Sequence, residues 1–425
     1  RSTLFPYTTL FRSLADRAWP GASSRKTDQG RSFGFGGGGS EIEMEWKNKA
    51  DVVIIGGGIV GVCTAYNLAK LGVKDVVVIE KGTVCSGSTG RCGAGIRAQW
   101  GTEMNCRLSI AALDIFEQLD DELGLPTGLN QGGYLLIAYK ENEFENLKKS
   151  IDLQHRLGIS SKVVSLDEAR EICPALDASD AVGFTYHARD GHADPFLTTF
   201  AFLEASKRLG VVYHRNTECT GIRVRGDRAC GVETSRGTID ADVVINCAGA
   251  YAQTVAKMAG VELPNWGERH EIMITEPTEQ GVCPPMLMSF SGNYYIQQRP
   301  HGSIICGMSP AGHPYDPDNG TSWEFVTEMS KVLAKLLPCT KGIRVVRHWA
   351  GMYDMTPDGS PIIGETDVKN FYHSTGYSGH GFMLGPIAGR VLAQHLTNNT
   401  PDIDFSMLDY RRFARGELIM EPNIT

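Results

Sequence analysis

The stretch VVIIGGGIVG, residues 52–61, decides how the rest of the chain is read. Residues 51–55 form an apolar, β-branched run of the kind that makes a buried parallel strand. Three glycines follow in the spacing Gly56-x-Gly58-x-x-Gly61, and residues 59–71 then carry apolar side chains at helical spacing. A second buried run, residues 76–79, completes a βαβ unit. In that context the first glycine permits a tight turn. The second lets the backbone approach a pyrophosphate, and the third lets helix and strand pack closely. Ile59 and Val60 open the helix, so its N–H groups and positive dipole end suit an anion. Glu80 closes the second strand, where a carboxylate accepts hydrogen bonds from a ribose diol, and Lys81 follows it. The acid by itself suits NAD and FAD equally.

Composition sets the outer limits. The 425 residues are 42% hydrophobic and 21% charged, an ordinary globular balance, and the length suggests two or three domain-sized units. A formal net charge of -8 argues against a general affinity for nucleic acid or anionic membranes. No apolar run is long enough for a transmembrane segment. The 11 cysteines include no C-x-x-C pair, so a disulfide framework, a zinc site or an iron–sulfur site is not expected. Metal-free chemistry and reduced thiols in a cytoplasmic protein are the expectation. Residues 1–43 read as a disordered, non-native leader. RSTLFPYTTLFRS (1–13) is similar to translated adapter sequence, GFGGGGS (34–40) is linker-like, and Met44 is the first methionine.

Further along, residues 195–209 read as a helix leading into a strand at 211–214. Residues 221–225 and 229–234 form a hairpin, and 242–246 are again buried strand, so the chain returns repeatedly to one sheet. Residues 133–139, 271–275, 294–298 and 303–307 look like strands of a different, antiparallel or mixed sheet, with an amphipathic helix at 142–157. Three more segments expose backbone. CSGSTGRCGAGIR (85–97) brings Ser88, Thr89, Arg91, Gly95 and Ile96 close behind Glu80. DVVINCAGAYA (242–252) ends a strand at Gly249. GYSGHGFMLGP (376–386) offers Gly379, His380, Gly381, Phe382 and Met383 and runs into an apolar helix. Several such approaches favour FAD over NAD.

With these segments in view, the chain resembles the D-amino-acid-oxidase-like family of FAD-dependent oxidoreductases. Within it, the similarity runs to the β subunits of sarcosine oxidase and dye-linked L-proline dehydrogenase. The shared features are GSTGRCGAGIRAQW, DGHADPF, WAGMYDMTPDGSPIIG, GYSGHGFMLGP and RRFARGEL, spread over most of residues 51–418. The resemblance implies an α/β (α+β) fold: a Rossmann-like, glutathione-reductase-type FAD domain interleaved with a substrate domain. The expected pieces are 44–125, 182–262 and 342–418 for FAD, and 126–181 and 263–341 for substrate. It implies oxidation of the C–N bond of a small amino or imino acid by hydride transfer to flavin N5.

Site roles follow by resemblance too. Arg97 is the expected partner of a substrate carboxylate, because a planar two-pronged donor suits it. Tyr295 and Tyr353 are expected over the substrate, and His380 is a candidate acid–base residue. Gly351 occupies the place where monomeric sarcosine oxidases carry a FAD-anchoring cysteine, so FAD is expected to be non-covalent. Met383 and Ile305 stand where those oxidases have lysines: Met383 leaves Arg97 as the main cationic partner of a carboxylate, and Ile305 favours a dehydrogenase. Other subunits of a hetero-oligomer as electron acceptor, and FMN at a subunit interface, are further implications of the resemblance. The alternatives are an oxygen-using glycine- or sarcosine-type oxidase and a flavin-binding structural subunit.

Overall fold

Strand Lys49–Ile55 is the centre of the first sheet, because it is parallel-paired on both sides. Val52 faces Val243 of strand Gly237–Asn246 on one side and Val76 of strand Val76–Ile79 on the other. Val76–Ile79 then pairs with Val212–His214, and Gly237–Asn246 with Phe371–Thr375, both in parallel. All four residues of Val76–Ile79 are buried, as a strand covered on both faces requires. Ile362–Glu365 adds an antiparallel edge, and the hairpin Cys219–Arg225 and Arg228–Thr234 docks on the start of Gly237–Asn246. The sheet has eight strands among the described residues. This computed structural model describes residues 46–308 and 319–422, so the expected leader lies outside the described residues.

A second eight-stranded sheet is mixed, as expected. Its order is Val345–Met355, Trp266–Thr275, Ile304–Met308, Tyr294–Gln298, Met286–Ser289, Tyr134–Ala138, Gly183–His187, Lys162–Val164. Only the pairing of Met286–Ser289 with Tyr134–Ala138 is parallel there among the described residues. Two strands sit elsewhere than the sequence reading implied. Gly183–His187 and Val345–Met355 fall in segments expected with the FAD domain, yet both pair in the second sheet. Val345–Met355 runs against Trp266–Thr275 from Trp266↔Met355 to Thr275↔Val345, a longer ladder than residues 271–275 announced. Polar side chains at Glu268, His270, Arg347, His348 and Asp354 interrupt the apolar pattern that would have revealed it.

Helices Ile59–Lys70 and Gly381–Leu396 explain why two glycine clusters far apart in sequence belong together. A Cβ on Gly385 would lie 3.1 Å from Ile59 Cγ1, and one on Gly389 only 2.6 Å from the Thr64 backbone nitrogen. The contacts advance in the same direction along both helices, so the two run parallel and their N-termini emerge at the same end. Gly61 lies where its helix meets the preceding strand, since a Cβ there would overlap the Gly56 carbonyl oxygen. Helix Pro195–Arg208 begins as its sequence suggests: Asp194 accepts from Phe196 N–H (2.9 Å) and Leu197 N–H (3.0 Å), with proline at the first position. Helices Glu103–Phe116 and Trp323–Leu336 carried no expectation. Among the described residues no helix is long and apolar enough to cross a membrane. The cysteines are all free thiols, buried except for Cys92, Cys230 and Cys339.

Candidate functional site

A cavity of about 1240 Å³ is walled by residues of both sheets and by the N-termini of the two parallel helices. Pockets for one small molecule run to roughly 300–1,000 Å³, so this one has room for a large cofactor and a substrate together. Both helices present Ile59 and Val60, or Gly381 and Phe382, to it, which places two positive dipole ends on one space.

At the first end, Gly56 has φ +116°, and a Cβ there would overlap the Cys247 carbonyl. Gly58 is looser: its Cβ would stand 3.1 Å from Thr89 Oγ1, which itself accepts from Ile59 N–H at 3.1 Å. Glu80 accepts from Gly57 N–H (2.8 Å) through Oε2 and from Gly82 N–H (2.7 Å) through Oε1. The carboxylate is thereby fixed in orientation, while each oxygen keeps a lone pair for a hydroxyl. The Lys81 ammonium lies 3.1 Å from the centre of the Tyr251 ring. Gly249, at φ +54°, has nothing within 4 Å of a would-be Cβ and lines the cavity.

The middle of the wall is a set of cross-links between the 85–97 segment and strand Val345–Met355. Ser88 Oγ donates to Met352 O (2.6 Å), Arg91 Nη1 donates to Ala350 O (3.1 Å), and Trp349 Nε1 donates to Arg91 O (3.0 Å). Gly351 is pressed against this strut, since a Cβ there would meet Arg91 Cβ at 3.0 Å. Ser88, Thr89, Arg91, Gly95 and Gly351 all line the cavity. Ile96 and Gly61, also expected at the cofactor, are not in the lining: Ile96 is fully buried in the core, and Gly61 packs its helix against the strand that precedes it. Phe382 and Met383 contribute to the lining, but their side chains are 6% and 2% exposed and Phe382 packs against Phe116. Ile305 is absent from the lining, whereas Gly307 on the same strand is present.

At the other end, Arg97 is 4% exposed. Its guanidinium lies 4.0 Å from the Trp100 ring centre and 5.0 Å from that of Phe290. Nη1 is buried without a hydrogen-bond partner, and burial lowers the basicity of the group while Tyr134, Glu421 and Asp190 oppose that shift. A cation held this way has a strong need for an anion. Behind it, Asp190 accepts from Ala98 N–H (2.9 Å) and bonds His187 Nδ1 (2.6 Å). His380 is edge-on to Trp100 at 4.2 Å, with Nδ1 3.0 Å from Tyr377 O. Burial, then the Arg97 charge, pushes its pKa down to about 3, so its ring is neutral at physiological pH.

Tyr295 and Tyr353 face the same space. Tyr295 fits because Gly93 and Gly307 leave room for its ring, and burial lifts its phenol well above the ordinary value. Tyr353 stacks on His270 at 3.5 Å and is pushed up to about 12, chiefly by burial. Gly379, at φ +90°, accommodates that same ring: a Cβ would lie 2.8 Å from Tyr353 Cδ2. The glycine loop is held by Asp354, which accepts from Asn265 Nδ2 (2.7 Å), Thr375 Oγ1 (2.7 Å) and Gly376 N–H. Burial raises its pKa and those bonds oppose the rise. Sequence reasoning missed Trp100, His270, Phe290 and Asp354. Trp100 and Asp354 lie inside motifs already quoted, but nothing in the sequence marks His270 or Phe290.

The residues present fit FAD: a glycine cradle at one helix start, an oriented carboxylate for a ribose, and a second helix start beyond. The sequence profile of the family described as "FAD dependent oxidoreductase" matches residues 51–395. The β subunit of sarcosine oxidase from an Arthrobacter species is 30% identical over 387 residues, covering 89% of this chain and 94% of that protein. The crystal structure of L-proline dehydrogenase from P. horikoshii superposes with a TM-score of 0.83 at 36% identity, covering 88% of this chain and all of that one. Glycine oxidase from Geobacillus kaustophilus shares the fold, with a TM-score of 0.80 at 23% identity over 86% of this chain and 99% of that one.

Proposed function

The chain belongs to the DAO family of FAD-dependent oxidoreductases, and on that footing we propose that it oxidises the C–N bond of a small amino or imino acid of the sarcosine, glycine or proline type. The observation that carries the substrate reading is Arg97: a buried guanidinium at the cavity wall, caged by Trp100 and Phe290, with Nη1 unpartnered. A substrate carboxylate supplies the missing anion and two charge-assisted hydrogen bonds. FAD, when bound, supplies a two-electron acceptor for hydride from the carbon beside nitrogen.

The protein's part is placement. Gly56, Gly58 and the start of helix Ile59–Lys70 hold the pyrophosphate, and Glu80 takes the ribose hydroxyls. The start of helix Gly381–Leu396 would offer a positive dipole end to the other end of the cofactor. Tyr295 and Tyr353 exclude water and orient the substrate's apolar body, while Trp100, outside the lining, backs the Arg97 guanidinium. His380 stays neutral and so adds no second cation beside Arg97. FAD is held without a covalent link, which the Gly351–Arg91 contact supports because it leaves a longer side chain no room.

Among the described residues lining the cavity the one lysine is Lys81, at the Glu80 end. That favours a dehydrogenase, since a lysine ammonium at the reacting end would assist oxygen, whereas the Arg97 guanidinium is committed to the substrate carboxylate. The relatives named as β subunits support an enzyme that works beside partner subunits, and a cytoplasmic setting with those subunits as electron acceptor is part of the proposal. The test is anaerobic titration with sarcosine, glycine, L-proline, hydroxyproline and D-amino acids, followed by admission of air. Rapid bleaching by an amino acid and slow reoxidation are expected. Reoxidation in air as fast as turnover, with stoichiometric hydrogen peroxide, identifies an oxidase, and no bleaching by any of them overturns the reading.

A further inference from the structure

The chain after residue 395 lies beyond the stretch matched by the family profile, yet it returns to the carboxylate end of the cavity. Arg412, 1% exposed, makes a two-pronged ion pair with Asp358: Nε to Oδ2 at 2.8 Å and Nη2 to Oδ1 at 2.9 Å. That pair anchors a C-terminal strap. Ile419 N–H donates to Asp358 Oδ2 (3.1 Å), and Ile419 O accepts from Ser360 Oγ (3.2 Å).

Two residues later the strap delivers Glu421, 3% exposed. Its Oε1 accepts from Gly101 N–H at 2.7 Å, and Oε2 accepts from Thr102 Oγ1 and Asn105 Nδ2 at 3.2 Å each. Helix Glu103–Phe116 has no cap from its own N-cap side chain, Thr102, and the Glu421 carboxylate stands beside this N-terminus, where the helix dipole favours negative charge. Pro422 lies on Gly101, where a Cβ would come within 2.8 Å of its Cδ.

The turn gripped in this way is the one that carries Trp100. Its Nε1 donates to Arg97 O (2.8 Å), its carbonyl accepts from Gln154 Nε2 (2.8 Å), and its ring lies against the Arg97 guanidinium. We propose that Glu421 is a positioning residue for the substrate subsite: the C-terminal strap fixes the Trp100–Gly101 turn and, through it, the Arg97 guanidinium at the cavity wall. The proposal rests on the reading of Arg97 as the carboxylate anchor. A second consequence is electrostatic, because a buried carboxylate near Arg97 helps it stay charged while no substrate is bound.

The test uses the flavin-loaded enzyme and acetate as a bare carboxylate probe, followed by the flavin absorbance change. Glu421→Gln keeps the shape but turns an amide NH₂ toward donors. Its acetate Kd and its KM for the acid substrate are expected to rise about tenfold, with kcat within about twofold and flavin content unchanged. In an Arg97→Lys background the same change should add almost nothing, because the two act as one unit. Equal fold-changes in both backgrounds, or an unchanged Kd in Glu421→Gln, overturn the proposal alone. An unchanged acetate Kd in Arg97→Lys overturns the carboxylate reading and the proposal with it. Asn105→Ala, which removes one donor to Glu421 and leaves the strap intact, provides an independent folded variant with an expected rise of about threefold. No shift there counts against the proposal as well.

Discussion

Gly379→Ala should damage the protein through Tyr353, and a double-mutant cycle can show it. Gly379 sits at φ +90°, where an L-residue is strained by roughly 1 kcal/mol. Its new Cβ would meet the Tyr353 ring 2.8 Å from Cδ2 and 2.9 Å from Cζ. That ring cannot retreat, because its other face is stacked on His270 at 3.5 Å. Overpacking of this kind adds about 1–3 kcal/mol, giving a total near 3 kcal/mol. Urea unfolding of the apoprotein measures the sum. In a Tyr353→Ala background only the backbone part should remain, so the coupling should be about 2 kcal/mol. Additivity within about 0.5 kcal/mol would refute the steric argument. The cycle also reads flavin content. If Gly379 exists to admit the cofactor rather than the tyrosine, Tyr353→Ala will not restore FAD to Gly379→Ala.

Arg97→Lys should weaken substrate binding by about 1.5–3 kcal/mol while leaving FAD content intact, and unaltered steady-state kinetics with an acid substrate would count against the anchor. Acid precipitation should release the flavin into the supernatant, and Gly58→Val should lose most of it; yellow colour on the pellet would contradict a non-covalent link. His373, fully buried, is held at about 3 by burial against an ordinary 6.5. The unfolded chain therefore takes up a proton that the folded one refuses, and stability falls as pH drops below about 6.5 toward 3. At roughly pH 5 the loss from this group is about 2 kcal/mol, and His373→Phe should flatten the stability curve between about pH 7 and 5. An unchanged curve would remove His373 as a source of acid sensitivity.

The parts of the fold legible in the sequence are those where one physical demand dominates. The run from Lys49 to Ile79 must be apolar on both faces and glycine-rich at its turn, so strand, loop, helix and Glu80 all declare themselves. Strand Val345–Met355 did not, because it belongs half to a sheet and half to a cavity wall. Its His348 and Asp354 answer to partners on other segments, and Arg347 to Trp349 two residues along. Arg97 was found by resemblance, but its strength as an anchor comes from Trp100 and Phe290, and Phe290 is 193 positions away in sequence. Gly379 was expected to expose backbone to a cofactor, whereas the neighbour that a side chain there would meet is a tyrosine of the second sheet.

The parallel pairing of the two glycine-led helices has a consequence for how the protein is made. The strand Lys49–Ile55 leaves the ribosome early, but its partner Gly237–Asn246 and the helix Gly381–Leu396 that completes the cradle come much later. At about 5–20 residues per second, the first glycine loop waits on the order of half a minute for the second. Until Gly237–Asn246 is made, one edge of its apolar strand is unpaired and exposed to other nascent chains and to holdase chaperones. Cofactor capture is therefore an event of the finished chain. Flavin supply and lower growth temperature should govern the yield of correctly folded protein more than translation rate does, because the site is assembled from both ends of the polypeptide.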